Sequence, residues 1–227
     1  MKTLLVSVLS ALLLAACGGG GDAAPQQAQA PQPQPTVLAF GDSTMYGTKT
    51  NTTQAQRMTE DLRADGRQIV VEDAAVPGTQ LHEMLAGRDG RNQPLAQNLK
   101  AHPGTRYVLE NFGINEAGHL TSVEVYRASL VEFVATVRAA GMVPVIITPN
   151  PIFVPDNEAM MSLFAQLVPV AREVAAAEGA ALIDVNKEFA GVTAADLADY
   201  VHPSAALYDR IAKFEAAELT RIMGVAQ

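Results

Sequence analysis

Val37-Leu38-Ala39-Phe40-Gly41-Asp42-Ser43-Thr44 sets a short apolar run against an abrupt polar turn. An apolar run of this length, ended by turn residues, reads as a strand buried on both faces, as in a parallel sheet. The serine falls just past the strand, where its hydroxyl would point into the mouth of a sheet rather than into a core. A second signal lies at the far end of the chain, in Asp199-Tyr200-Val201-His202-Pro203, where a carboxylate precedes an imidazole by three residues. Serine, histidine and aspartate are the parts of a nucleophilic relay. Each is common alone; their positions at opposite ends of one domain make them informative.

Around that first strand the chain alternates. Further apolar runs lie at Ile69–Glu72, Arg106–Asn111, Val143–Thr148 and Ala181–Val185. Between and after them come helix-forming stretches at Gln54–Ala64, Gln93–Ala101, Ser122–Ala140, Glu158–Glu178 and Ser204–Met223. Thr121 and Glu124 fit a capping box for the third helix, and Gly141 and Gly179 suit the ends of the third and fourth. Strands separated by helices predict βαβ units with right-handed crossovers. The expected fold is a three-layer α/β/α sandwich around a five-stranded parallel sheet. Ligands of such sheets bind beyond the carboxyl ends of the strands. Ser43 follows the first strand, Asn115 the third and His202 the fifth, so all three fall on that edge.

Composition narrows the function further. A 227-residue chain with 48% hydrophobic residues can build a sizeable core without disulfides or metal. The net charge of −8 and the scattered Lys and Arg argue against a nucleic-acid partner. Aromatics make up 5% and tryptophan is absent, which disfavours a stacking platform for sugars or bases. No metal-ligand cluster and no dinucleotide fingerprint is visible, so no cofactor is expected.

Residues 1–16 read as an export signal: Lys2, then an apolar stretch too short to span a bilayer stably. It ends in Leu14-Ala15-Ala16-Cys17, which resembles the lipobox of bacterial lipoproteins, where the cysteine carries the lipid. Cys17 is the only cysteine, so no internal disulfide can form. Gly18 follows it where aspartate would resemble an inner-membrane retention signal, which points to the outer membrane. Residues 17–35, Cys17 and the Gly-, Ala-, Gln- and Pro-rich stretch 18–35, read as the anchor and a linker, the stretch extending up to roughly 55 Å at about 3.1 Å per residue. Residues 36–227 form the folded domain.

From Thr36 onward the sequence resembles the GDSL esterases, or SGNH hydrolases, in four ordered blocks. Gly41-Asp42-Ser43-Thr44 is similar to the first block, with threonine where leucine is usual. Ala75-Val76-Pro77-Gly78 fits the glycine loop of the second. Gly113-Ile114-Asn115-Glu116 resembles the Gly-X-Asn-Asp loop of the third, with glutamate in place of aspartate. Asp199 and His202 match the last, Asp-X-X-His. The resemblance implies the flavodoxin-like fold of that family. It also implies an oxyanion hole made by the backbone N–H groups of Ser43 and Gly78 and the side-chain amide of Asn115.

The roles also follow from chemistry. Ser43 needs an adjacent base to become a nucleophile. His202 can supply one, since imidazole titrates near neutrality. Asp199 can hold the ring in the right tautomer, although Asp196 lies close by. Beyond the export signal the other serines, Ser122, Ser129, Ser162 and Ser204, fall in helical contexts, Ser204 as a cap. His82, His102 and His119 lack an aspartate three residues earlier. Asp42 reads as a turn stabiliser.

The expectation is therefore a lipid-anchored serine esterase of the cell envelope, working through an acyl–Ser43 intermediate. The segment Asn150–Pro155 with Met160 and Met161 is a candidate acyl pocket, and the scarcity of aromatics weighs against extended glycans and for esters of short or medium acyl chains. The resemblance implies lysophospholipids and O-acetyl groups of polysaccharide or peptidoglycan as other substrate classes. The rival reading is a tethered binding or structural lipoprotein without turnover.

Overall fold

The first strand, β1 (Val37–Gly41), is buried along its whole length, as a run of five apolar or small residues flanked by strands on both sides must be. The computed structural model describes residues 37–225. The expected export signal, Cys17 and the linker to residue 35 lie outside the described residues. Around β1 stand β2 (Val71–Asp73), β3 (Tyr107–Asn111), β4 (Val143–Ile147) and β5 (Ala181–Ile183). All pairings are parallel, in the order β2-β1-β3-β4-β5. This is the expected five-stranded sheet with flavodoxin-like order, and its topological switch lies between β1 and β3, where such folds form their ligand crevice.

Helices cover both faces: α1 (Gln54–Ala64), α2 (Leu81–Leu85), α3 (Leu95–Ala101), α4 (Ile114–Gly118), α5 (Val123–Ala139), α6 (Glu158–Glu178), α7 (Val185–Glu188) and α8 (Ala205–Val225). Alternate strand residues feed two cores. Leu38, Phe40, Val108 and Ile146 pack with α2, α3, α5 and α6. Val37, Ala39, Leu109, Val145 and Ile147 pack with α1 and α8. A sheet buried on both faces thus keeps its period-two division of side chains under a continuous apolar run.

The long helices fall within two residues of their expected bounds, and the departures have local causes. Helix α5 is capped by Ser122, whose hydroxyl accepts from the Val125 N–H at 3.4 Å, rather than by a Thr121–Glu124 box. Thr121 instead donates its hydroxyl to the Gln80 side chain, across to another loop. The same helix ends in a Schellman motif: Met142 N–H bonds the Val137 carbonyl at 3.1 Å and Gly141 N–H that of Arg138 at 2.8 Å. Gly141 stands at φ +75° and Gly179, ending α6, at φ +65°. Strand β2 begins at Val71 rather than Ile69 and β5 ends at Ile183 rather than Val185, which opens α7. The short helices α2, α4 and α7 were not apparent from periodicity; each is four or five residues long, too short to stand without tertiary support.

Candidate active site

The β1 terminus builds the turn that carries Ser43 from local hydrogen bonds. Asp42 Oδ1 accepts from the Thr44 N–H and from the Thr44 hydroxyl, each at 2.8 Å. Tyr46 N–H bonds the Asp42 carbonyl and Thr48 N–H that of Ser43, both at 3.0 Å, so the chain coils immediately after the strand. Gly41 is required by close approach: a Cβ there would lie 2.5 Å from Met45 Cβ. Asp42 is therefore a turn former in the structure, and Ser43 is left partly exposed at its apex.

The histidine arrives on a loop that is itself a turn device. Ala198 N–H bonds the His202 carbonyl at 2.8 Å, and Leu197 and Pro203 form an isolated antiparallel bridge. Inside that loop Asp199 Oδ1 accepts from the N–H of Val201 at 2.9 Å and of His202 at 2.8 Å. This is why the two residues stand three apart: one carboxylate oxygen closes the turn while the other is aimed at the ring. Asp199 Oδ2 lies 2.8 Å from His202 Nδ1, and His202 Nε2 lies 2.9 Å from Ser43 Oγ. Partial burial pushes the Asp199 carboxyl up, but its hydrogen bonds from His202 and Val201 outweigh this and hold it down at about 2. Asp199 is thus ionised at neutral pH. Its oxygen can only accept, so Nδ1 carries the proton and Nε2 is the acceptor for the Ser43 hydroxyl. Asp196 is used otherwise: its carboxylate accepts from the N–H and hydroxyl of Thr193 at 2.9 and 3.0 Å.

The loops after β2 and β3 meet across the same edge. Gly78 adopts φ +83°, a conformation that favours glycine, and is exposed. Among the described residues, neither its N–H nor that of Ser43 is taken up by another protein group. Asn115, on α4, directs its amide to the Thr79 carbonyl at 3.0 Å and to Asp42 Oδ2 at 3.4 Å. Ser43, Gly78 and Asn115 are therefore brought to one region by direct or adjacent-residue contacts, and Asp199 and His202 join them through Ser43. Of the remaining histidines, His82 lies in α2, His102 caps the end of α3 beside Glu72, and His119 caps α4.

Beneath the site lies an unusual concentration of buried acid. Asp42 is 1% exposed, and desolvation lifts its carboxyl to about 6 against its bonds to Thr44. Glu116, also 1% exposed, is lifted by desolvation to about 7. Glu110, inside β3, is pushed well above the ordinary carboxylate range by desolvation and then by the nearby Glu116. On the opposite face, desolvation raises Glu215 to about 8, against its bond from the Gln54 amide at 2.9 Å. Among the described residues, no group of three or more His, Cys, Asp or Glu side chains is placed to hold a metal ion.

Two residues named in the sequence for other reasons make contacts here that it did not show. Asn150, buried after β4, donates to the Val201 carbonyl at 3.0 Å and so fastens the histidine loop to the sheet edge. Glu116 accepts from the Gly113 N–H just before its own helix and from the Leu81 N–H, 35 residues away in the chain. The contact of Asn150 with Val201 and that of Glu116 with Leu81 carry no local signal, because those partners come from other loops.

The GDSL-like Lipase/Acylhydrolase family model matches residues 39–210. No curated protein sequence is significantly similar. Among solved structures, the lipase/acylhydrolase from Enterococcus faecalis superposes with a TM-score of 0.66 at 23% identity, covering 82% of this chain and 95% of that one. An acetylxylan esterase from Geobacillus stearothermophilus gives a TM-score of 0.64 at 19% identity, covering 81% and 93%. An α/β hydrolase from the metagenome of Lake Arreo, Spain, gives 0.64 at 21%, covering 80% and 93%. At these identities the likeness to solved structures is one of fold.

Proposed function

We propose that this chain, which belongs to the GDSL-like lipase/acylhydrolase family and is an ester-hydrolysing enzyme, cleaves carboxylic esters through an acyl–Ser43 intermediate. The observation that carries the mechanism is the unbroken hydrogen-bonded line Ser43 Oγ, His202 Nε2, His202 Nδ1, Asp199 Oδ2. In the proposed reaction Ser43 Oγ attacks the ester carbonyl as its proton passes to His202 Nε2. Asp199 stabilises the imidazolium by accepting from Nδ1. The carbonyl oxygen, now negative, takes hydrogen bonds from the N–H groups of Ser43 and Gly78 and from the Asn115 amide, each such donor lowering the barrier by about 2.7–4 kcal/mol. Collapse breaks the ester C–O bond, and the leaving alkoxide takes the proton from His202. Water then attacks the acyl group with His202 as base, and Ser43 is regenerated.

The substrate reading rests on the residues after β4. Phe153 N–H donates to the Tyr200 carbonyl at 2.9 Å, which ties this segment to the loop between Asp199 and His202. A groove of about 400 Å³ lined by Phe153, Val154, Pro155, Met161, Ala194 and Tyr200 lies there. A second apolar recess of about 420 Å³ shares Phe153 and Met161 with it. Such a surface suits an acyl chain longer than acetyl, and we assign the enzyme to short- and medium-chain carboxylic esters. The test is p-nitrophenyl ester hydrolysis over an acyl-length series, in wild type and Ser43→Ala. Loss of the nucleophile is expected to lower kcat on the order of 10⁶-fold. Equal rates in the two proteins refute the mechanism, and a rate falling steadily beyond acetyl refutes the acyl groove.

We further propose, from the sequence, that Cys17 carries lipid and tethers the domain to the outer membrane. Metabolic labelling with a lipid precursor checks this: label that persists in Cys17→Ser, or no label at all, rules it out.

A further inference from the structure

Glu116 stands where the resembling family has aspartate, and its extra methylene has a structural consequence. Its Oε2 accepts from the Gly113 N–H at 2.8 Å, reaching back to the residue that caps α4. Its Oε1 accepts from the Leu81 N–H at 2.7 Å, the first residue of α2. Gly113 begins the loop that carries Asn115, and Leu81 ends the loop that carries Gly78. One carboxylate therefore holds the backbones of both loops at the same time. Its two oxygens bond donors that helix starts otherwise leave without intrahelical partners. It lies in the interior, with the acids Asp42 and Glu110 and the Tyr126 hydroxyl as its ionisable neighbours.

We propose that Glu116 is a positioning residue that fixes the spacing between the Gly78 N–H and the Asn115 amide, and so the width of the oxyanion hole. The buried carboxylate is costly where it stands. Apolar packing would cap neither helix, and a shorter acid has a different reach. Aspartate at 116 would draw the carboxyl back by about 1.5 Å, enough to release Leu81 or Gly113 but not to hold both. Glutamine would keep one acceptor and turn an amide N–H toward a backbone N–H, breaking the same link without changing volume. Asn115 reinforces the join, since its amide bonds the Thr79 carbonyl in the Gly78 loop.

The inference rests on Gly78 and Asn115 acting as oxyanion donors, so its test is a double-mutant cycle that examines both. Rates on a p-nitrophenyl ester are measured for wild type, Glu116→Asp, Asn115→Ala and the double variant, with Glu116→Gln as the second clamp variant. Glu116→Asp is expected to lower kcat about 10–100-fold with KM little changed, the cost of an ångström-scale misplacement. Asn115→Ala is expected to lower kcat by about 10²–10³-fold. In the double variant Glu116→Asp should cost only a few-fold more, because one of the donors it positions is gone. Full additivity, or a loss of melting temperature with kcat intact, overturns the clamp and leaves a purely structural carboxylate. An Asn115→Ala variant with wild-type kcat overturns the oxyanion assignment itself, and the clamp with it.

Discussion

Replacing Asp199 by asparagine separates what that side chain does for the fold from what it does for the ring. Asp199 Oδ1 bonds the Val201 and His202 N–H groups at 2.9 and 2.8 Å, and asparagine keeps an oxygen there. The turn that carries His202 should therefore survive. Oδ2, 2.8 Å from His202 Nδ1, is replaced by an NH₂ group that can only donate. His202 must then carry its proton on Nε2, facing Ser43 Oγ at 2.9 Å, where a lone pair is needed. A triad in the wrong tautomer loses about 10⁴ in kcat, or roughly 5.4 kcal/mol at 1.36 kcal/mol per tenfold. The stability cost should be smaller by several-fold. Asp199 is partly exposed, and its second ion-pair partner, Lys49 at 3.6 Å, is half in solvent, so screening limits the loss to about 1 kcal/mol. The sign follows from the carboxyl being held at about 2, below its unfolded value of 3.8: its stabilisation is present above pH 3.8 and lost as pH falls through 2. Urea unfolding at pH 7 and steady-state hydrolysis of p-nitrophenyl acetate measure the two effects on the same preparation. If Asp199→Asn retains kcat within tenfold of wild type, the tautomer argument is wrong. If it unfolds at pH 7, the separation of roles is wrong.

The buried acids predict a stability profile tilted toward low pH. Asp42, Glu116 and Glu215 are raised to about 6, 7 and 8, so their contribution is present below their unfolded values near 4 and is lost as pH rises through the folded ones. The urea midpoint of the wild type should be higher at pH 5 than at pH 9. Glu215→Gln should be more stable than wild type by about 1–3 kcal/mol at pH 9 and about equal at pH 5, with Gln54 turning its amide to accept. A midpoint that rises toward pH 9 contradicts this assignment. Gly41→Ala tests the close approach under the nucleophile: a methyl 2.5 Å from Met45 Cβ must displace the Ser43 turn. It should lower kcat about 10–100-fold while circular dichroism stays native, and unchanged kcat counts against the turn's rigidity.

Which parts of this molecule can be read from the chain depends on how far apart in sequence the interacting groups lie. Strand β1 and the turn after it are local: an apolar run, a glycine forced by Met45 and an aspartate bonding two residues ahead are contained in nine residues. The Asp199–His202 pair is local as well, because one carboxylate oxygen closes the turn that delivers the ring. The distinction from Asp196 comes from the same kind of short-range bond, to Thr193. Parallel order followed from helices between strands, since right-handed crossovers leave few alternatives. What sequence did not reveal is what joins loops. Thr121 pairs with Gln80 instead of capping its own helix, and the cap passes to Ser122. Helices α2 and α4 have too few residues to show a period; each is started by a glutamate at its third position that bonds back to the N–H of the residue before the helix. Glu116 is the sharpest case. In the chain it is only a glutamate where the resembling family has aspartate. In the fold, that extra length lets one side chain reach the Gly113 and Leu81 N–H groups together. The nucleophile and its base are specified by neighbours in sequence. The relative placement of Gly78 and Asn115 is set by neighbours in space, through the Thr79 carbonyl and the Glu116 carboxylate, and so it is the part the linear chain carries least visibly.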